Sequence, residues 1–186
     1  IVEINPLTRL PGNISINRQI QSKLDLGEIF ALAYLDLDQF KPFNDKYGFS
    51  RGDEIIKVTG RLILNIVKNK QPQNSFIGHI GGDDFIYIMD IGLVEDASAE
   101  IIESFDRIVP TFYDDDDRER GLIQSKDRQG NERTFSIMTT SIGIAHNQFM
   151  RFTHYGEITE MASKMKSHAK KFKGSCFKID KRQGNT

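Results

Sequence analysis

The 186-residue chain has one cysteine, Cys176, so no disulfide can form within it. With Phe177 and Ile179 beside it, Cys176 reads as a buried strand position rather than a reactive thiol. No apolar run approaches the roughly 20 residues that a bilayer-crossing helix needs, and no signal-peptide pattern opens the chain. No membrane contact is expected, and the expected compartment is cytoplasmic. Excess charge of either sign is also missing: 25 Lys and Arg stand against 26 Asp and Glu, a formal net charge of −1. That excludes the basic footprint of a nucleic-acid binder. The length fits a single domain, 1–186, able to bury its own core. A first residue other than Met, Ile1, gives the expectation of a piece cut from a longer protein.

What is present is acid at strand ends. Residues 79–88, His-Ile-Gly-Gly-Asp-Asp-Phe-Ile-Tyr-Ile, place two acids on a glycine turn between two apolar runs. Phe76, Ile77 and Ile80 before it and Phe85, Ile86, Tyr87 and Ile88 after it are β-formers, so 75–90 reads as a hairpin. Asp83 and Asp84 then start the second strand. Gly81 and Gly82 lack Cβ, so a bulky ligand can approach the backbone there. Upstream, Phe30-Ala-Leu-Ala-Tyr-Leu is a continuous apolar run, the mark of a strand covered on both faces, placed at 29–37. It finishes in Asp36-Leu37-Asp38. One of these two carboxylates must point toward a covered face and needs a cation or hydrogen bonds there. If this strand pairs with the hairpin, Asp36 and Asp83 converge. Two or three carboxylates with a backbone carbonyl form a hard oxygen site suited to Mg²⁺, which keeps waters and takes substrate phosphates. On spacing alone, solvated acids in two unrelated turns remain the alternative.

Hydrophobic periodicity orders the rest. A helix carrying Ile14, Ile20 and Leu24 is expected over about 13–24, and a short helical segment that Pro42 joins near its first turn follows the strand. A longer helix over about 53–69 carries Ile55, Ile56, Leu62, Ile63, Ile66 and Val67. After the hairpin comes a helix with Ile101, Ile102, Phe105, Ile108 and Val109, then a strand over 135–146. A helix bearing Ile158, Met161, Ala162, Met165, Ala169 and Phe172 and a strand over about 175–180 close the chain, with the methionines as core. The pattern βααββαβαβ is α+β: a mainly antiparallel central sheet flanked by helices. Segment 113–133 fits least, as a polar inserted loop or small hairpin around Leu122 and Ile123. Its four successive aspartates, 114–117, lack the alternate ligand spacing of a calcium loop and read as a solvated loop or a partner-docking surface.

Gly81-Gly82-Asp83-Asp84-Phe85 resembles the signature of the GGDEF domain family, the diguanylate cyclases, in a GGDDF variant with Asp84 at the Glu position. The resemblance extends well beyond five residues. Asn5-Pro-Leu-Thr-Arg-Leu-Pro-Gly-Asn13 is similar to the family's N-terminal D-x-L-T-G-L-x-N-R element. Asp36-Leu-Asp-Gln-Phe-Lys-Pro-Phe-Asn-Asp-Lys-Tyr-Gly48 resembles its D-[IL]-D-x-F-K-x-x-N-D-x-x-G block, and Gly52-Asp53-Glu54 its G-D-E. Thr140-Ser-Ile-Gly-Ile-Ala145 resembles its T-x-S-I-G-[IV]-A strand, and Ala169-Lys170 the Ala-Lys of its last helix. These matches follow family order over nearly the whole chain.

The resemblance implies a ferredoxin-like, nucleotidyl-cyclase-like core and the condensation of two GTP into cyclic di-GMP and pyrophosphate with Mg²⁺ (or Mn²⁺). It implies that Asp36, the backbone carbonyl of Leu37 and Asp83 hold the metal and that Asp84 serves catalysis with a side chain one methylene short. Lys41 and Lys170 are its phosphate cations, while the N–H groups of Gln39 and Phe40, opening the turn after the strand, are suited to triphosphate oxygens. Asn44 and Asp53 match its guanine-reading pair. The donor edge of guanine wants a carboxylate that adenine would leave buried and unpaired, so Asp53 argues for GTP. Three further places depart from the family. His79 stands where Arg is usual and supplies a hydrogen bond with only fractional charge. The usual G-R-N appears as Lys173-Gly174-Ser175. The product-inhibition motif Arg-x-x-Asp appears as Pro72-Gln73-Asn74-Ser75, so no such site is expected. Because one site holds one GTP, a homodimer is expected, driven by an upstream sensory or regulatory domain. The competing readings are a catalytically weakened module that binds GTP or a partner to regulate a neighbour, and a cyclase-like relative using other substrates.

Overall fold

The computed structural model describes residues 3–182. After helix α1 (Asn13–Asp25) come strand β1 (Ala31–Asp38), helices α2 (Phe40–Tyr47) and α3 (Phe49–Lys70), the hairpin β2 (Phe76–Gly81) and β3 (Asp84–Met89), and helix α4 (Ile91–Ile108). A short helix α5 (Asp115–Arg120) and the hairpin β4 (Leu122–Lys126) and β5 (Glu132–Ser136) follow. Strand β6 (Thr139–His146), helix α6 (Tyr155–Ala169) and strand β7 (Cys176–Ile179) complete the chain. The main sheet has the order β2-β3-β1-β6-β7, antiparallel except for β6 against β7. The α+β class, the helix-flanked sheet and the order βααββαβαβ are therefore as expected, preceded by the expected helix α1 and interrupted by the α5–β5 excursion.

β1 lies at the centre, and its alternation divides the molecule. Ala31, Ala33, Leu35 and Leu37 join Phe85, Tyr87, Ile142 and Ile144 in one core with the apolar faces of α3 and α4. Leu32 joins Ile86, Ile88 and Ala145 in a second core with α1 and α6. Each fully buried Leu, Ile or Phe contributes roughly 1.5–3 kcal/mol against its exposed state. On the α1–α6 side the apolar set gives way along β1 to Tyr34, Asp36 and Asp38, so the acids occupy the end of a face that is hydrophobic at its start.

Several boundaries differ from expectation for physical reasons. α3 begins at Phe49 rather than 53, because Gly48 (φ 92°) breaks the chain after α2 and helix resumes at once. The expected strand 135–146 is two strands in two sheets. Its unbroken β-forming composition hides the change at Met138, whose N–H leaves the ladder to donate to Tyr113 Oη at 2.8 Å. In α1, Ile16 and Ile20 are buried while Ile14 is exposed, so the apolar face is rotated from the expected one. α6 ends at Ala169 and leaves Phe172 half-exposed beyond it, and Met161 and Met165 are only partly covered. Cys176 is half-buried rather than buried, since β7 is an edge strand.

The polar excursion does contain a hairpin with Leu122 and Ile123 at its start, and Asp114, Asp115 and Asp116 are exposed as expected, but the segment is helical and Asp117 is buried. Asp115, Asp116 and Asp117 form the first turn of α5, where acid suits the helix dipole. Asp117 is 3% exposed and receives hydrogen bonds from Lys46 at 2.7 Å, Arg120 at 2.6 Å and the Tyr47 hydroxyl. Burial alone would raise its carboxyl; these donors outweigh that and hold it at about 2. The excursion is thereby fastened to α2.

Candidate active site

Antiparallel pairing of β1 with β3 sets Asp36 directly opposite Asp84. Asp83 precedes it in the turn, and a carboxylate oxygen from each of Asp36, Asp83 and Asp84 lies within 4.8 Å of the others. The expected convergence of the two strand ends is what the register produces. The cation expected for one of the two β1 carboxylates is found, and it serves both Asp36 and Asp38. Residues two apart share a face, and both carboxylates meet Lys170 Nζ at 2.8 Å. Asp38 also accepts from Ser141 Oγ at 2.7 Å and Thr139 Oγ1 at 2.9 Å.

Charge is unevenly shared. Lys170 and, at 3.7 Å, Lys166 both turn to Asp36, while neither makes an ion pair with Asp83 or Asp84 among the described residues. Burial pushes the Asp36 carboxyl up, but Lys170 and Lys166 outweigh it and hold it below its ordinary value. Asp83 has no such relief: burial and then the charge of Asp36 push it up to about 7. Asp84, pushed the same way with partial relief from Lys166 and Tyr34, reaches about 6. Buried like charges crowded together favour either a proton or a cation. Three carboxylates at this separation suit a hard divalent ion such as Mg²⁺. The donor set and its charge deficit fit such an ion.

The glycine turn is held from beneath. Gly81 (φ 147°) and Gly82 (φ 53°) adopt backbone that other residues resist. His79 is buried below them, stacked 4.4 Å from the Phe85 ring. Its Nε2–H donates to the Gly82 carbonyl at 2.9 Å, so its Nδ1 accepts from the Thr8 hydroxyl at 2.9 Å. Burial lowers its proton affinity, against the Gly82 hydrogen bond, in line with the small charge expected of it. His79 braces the hairpin and joins it to the N-terminal element.

The remaining expected site residues lie along the C-terminal end of β1 and beyond. Gln39, in left-handed backbone (φ 67°), turns the chain into α2, whose first residue is Phe40. Gln39 stands between two clefts. One, of about 440 Å³, is lined by Leu37, Asp38, Lys170 and Lys173; the other, of about 420 Å³, by Lys41, Lys126, Arg128 and Arg133. Lys41 is exposed and paired with Asp45 at 2.8 Å. The Leu37 side chain is core, which leaves its backbone to any ligand role. On α2, the Asn44 amide oxygen is buried with no hydrogen-bond partner among the described residues. A Cβ on Gly52 would stand 1.7 Å from that oxygen, so glycine at 52 makes room for it. Asp53 follows on α3 and is exposed, because the first turns of α3 lie open beyond Gly48.

Sequence reasoning missed Tyr34 and Lys166. The Tyr34 hydroxyl donates to Asp84 Oδ2 at 3.3 Å, and Lys166 Nζ sits 4.1 Å from the centre of the Tyr34 ring. The i, i+4 spacing of Lys166 and Lys170 was the available signal. Lys126, Arg128 and Arg133 were missed too, since they belong to the excursion.

Fold and acidic centre together define an α+β domain with a mostly antiparallel, helix-flanked sheet and three carboxylates gathered at one end of its central strands. The family model described as "Diguanylate cyclase, GGDEF domain" matches residues 2–175, and the chain belongs to the GGDEF family. Diguanylate cyclase DgcP of Pseudomonas aeruginosa is 29% identical over 104 residues, 53% of this chain and 15% of that protein. Cyclic di-GMP phosphodiesterase NbdA of the same organism is 30% identical over 143 residues, 75% of this chain and 16% of that one. The chain thus spans about a sixth of the length of these relatives. The GGDEF domain of DgcB from Caulobacter crescentus, solved in complex with c-di-GMP, shares the fold at a TM-score of 0.67, with 22% identity over 95% of this chain and 94% of that one.

Proposed function

We propose that residues 1–186 form a single diguanylate cyclase domain of a longer signalling protein, condensing two GTP into cyclic di-GMP and pyrophosphate. The observation that carries this reading is the meeting of Asp36, Asp83 and Asp84 within 4.8 Å in a GGDEF chain. Asp36, Asp83 and the Leu37 carbonyl would hold Mg²⁺ or Mn²⁺. When bound, that ion would neutralise phosphate charge and acidify the attacking hydroxyl. The 3′-oxygen of each GTP bonds to the α-phosphorus of the other, the bond to the leaving pyrophosphate breaks, and the hydroxyl proton must go to a base. Asp84, beside Asp36 and Asp83 and held by the Tyr34 hydroxyl, is the acid placed to take that proton. Asn44 and Asp53 read the guanine edge; Gln39 and Phe40 N–H groups with Lys41 and Lys170 hold the triphosphate. Two copies must face each other across a two-fold axis, because each supplies one nucleotide. The setting is the cytoplasm, with an upstream domain controlling pairing. Pro72-Gln73-Asn74-Ser75 offers no arginine fork to cyclic di-GMP, so no product inhibition runs through that turn.

The test is incubation of purified protein with GTP and Mg²⁺ and chromatographic identification of the product, beside two variants. Asp83→Ala should abolish turnover, and Asp84→Glu should keep or raise it. A wild-type protein that binds a GTP analogue yet forms no cyclic product overturns the enzymatic reading. It would support instead the regulatory GTP-binding module that the shortened Asp84 and the glycine at 174 favour.

A further inference from the structure

We propose that Tyr34 and Lys166 are positioning residues that hold the short acid Asp84 in register with Asp36 and Asp83. This deepens the cyclase reading and rests on it. The arrangement begins with a missing side chain. Gly143 pairs with Tyr34 across β1 and β6, on the face that α6 covers. A Cβ on Gly143 would stand 2.0 Å from the Ala162 carbonyl oxygen and 2.1 Å from the Lys166 nitrogen. Glycine there lets the α6 backbone descend onto the sheet at the level of Tyr34. Lys166 then reaches across the Tyr34 ring, its Nζ 4.1 Å from the ring centre and 3.7 Å from Asp36 Oδ2, with the side chain only 12% exposed. On its other side Tyr34 pairs with Ile86, two residues along β3 from Asp84. Its hydroxyl therefore arrives under Asp84 and donates to Oδ2 at 3.3 Å.

The consequence is positional. An aspartate has one fewer rotatable bond than a glutamate and less reach, so its use depends on the direction in which it is held. A hydrogen bond on Oδ2 fixes that direction while the carboxylate stays within reach of Asp36 and Asp83. Lys166 keeps the ring in place by the attraction of its charge for the ring face, and it anchors Asp36 from the same point. Misplacement of a reacting group by about 1 Å can cost about 100-fold, so a support of this kind decides whether a shortened acid works.

The test is a double-mutant cycle on the dimeric protein. Tyr34→Phe keeps the ring and removes only the hydroxyl. It should lower turnover about 10-fold or more with the GTP KM moved less than about 2-fold, and the penalty should shrink to about 2-fold in the Asp84→Glu background. Equal penalties in both backgrounds would mean that the hydroxyl serves general packing, and the proposal falls. Mn²⁺ binding with a non-hydrolysable GTP analogue, followed by electron paramagnetic resonance, needs no turnover. Tyr34→Phe and Lys166→Met should each change it several-fold, and Lys166→Arg should restore it. Unchanged Mn²⁺ affinity in both variants also overturns the assignment. Should the wild type prove inactive, the cyclase reading fails by product analysis, while the Mn²⁺ arm still decides the role of Tyr34 and Lys166.

Discussion

Replacing Gly143 with alanine tests how α6 is seated and what that seat does. The added Cβ would meet the Ala162 carbonyl oxygen at 2.0 Å, the Lys166 nitrogen at 2.1 Å and the Lys166 Cα at 2.7 Å. All three are backbone atoms, so no rotamer change can relieve the clash. α6 must retreat by roughly 1 Å or more before these atoms reach van der Waals range. Overpacking of this kind costs about 1–3 kcal/mol, and rigid neighbours place this case at the upper end. The retreat also draws Lys166 and Lys170 away from Asp36, contacts now made at 3.7 and 2.8 Å. A displacement of that size predicts a loss of about 100-fold in turnover beyond the loss of stability. Urea unfolding should show a lower midpoint at unchanged slope, equivalent to about 2–3 kcal/mol. Gly92→Ala is the control: its Cβ would meet nothing within 4 Å, so the midpoint should hold or rise. A Gly143→Ala protein within about 0.5 kcal/mol of wild type would refute the described seat of α6.

Three other perturbations separate site from scaffold. Gly52→Ala puts a Cβ 1.7 Å from the Asn44 amide oxygen and forces that flexible side chain aside. Calorimetry should register a loss of GTP-analogue affinity of about 10-fold or more, with the urea midpoint kept within about 1 kcal/mol; retained affinity would dismiss Asn44 as a guanine contact. Asp83, held near 7 against an ordinary 3.8, binds a proton more tightly folded than unfolded, so its contribution to stability falls as pH rises from about 4 to 7. Compared with Asp83→Asn, the wild type should therefore lose relative stability across that window and regain it with Mg²⁺, whose binding should strengthen as pH rises; a flat difference curve contradicts this. Asp117→Asn removes the charge shared by Lys46, Tyr47 and Arg120. It should cost about 1–3 kcal/mol at pH 7, and the deficit relative to wild type should shrink only as pH falls toward 2, where the native carboxyl protonates.

Much of this was legible because the relevant signals are local. A continuous apolar strand, a glycine turn between β-formers and the 3.6-residue rhythm of α3 each declare themselves within one window of sequence. The convergence of Asp36 with Asp83 was legible too, since it needs only one pairing and the fixed alternation of strands. Failures came where two elements with the same local preference lie end to end. β5 and β6 share a β-forming composition across Ile137 and Met138, and only the distant Tyr113 hydroxyl marks where one sheet is left for another. The aspartates of α5 look solvated because nothing nearby says that Lys46 and Tyr47, on another helix, will enclose one of them.

The acidic centre carries the same lesson further. In the sequence, Asp84 is simply an acid that is too short, and its effect on chemistry can be argued only as a loss. Tyr34 lies deep in a run whose other members are core, and Lys166 is one lysine among several on the last helix. Their relation to Asp84 exists only once β1 pairs with β3 on one side and β6 on the other, and once Gly143 admits α6 to the sheet. Three strands and a helix are needed to bring a hydroxyl within 3.3 Å of one carboxylate oxygen. A signature residue replaced by a shorter one is therefore not to be judged by its own length. The distance it must cover, and the groups that fix its direction, are set by the pairing register and by what the neighbouring helix is allowed to bring down beside it.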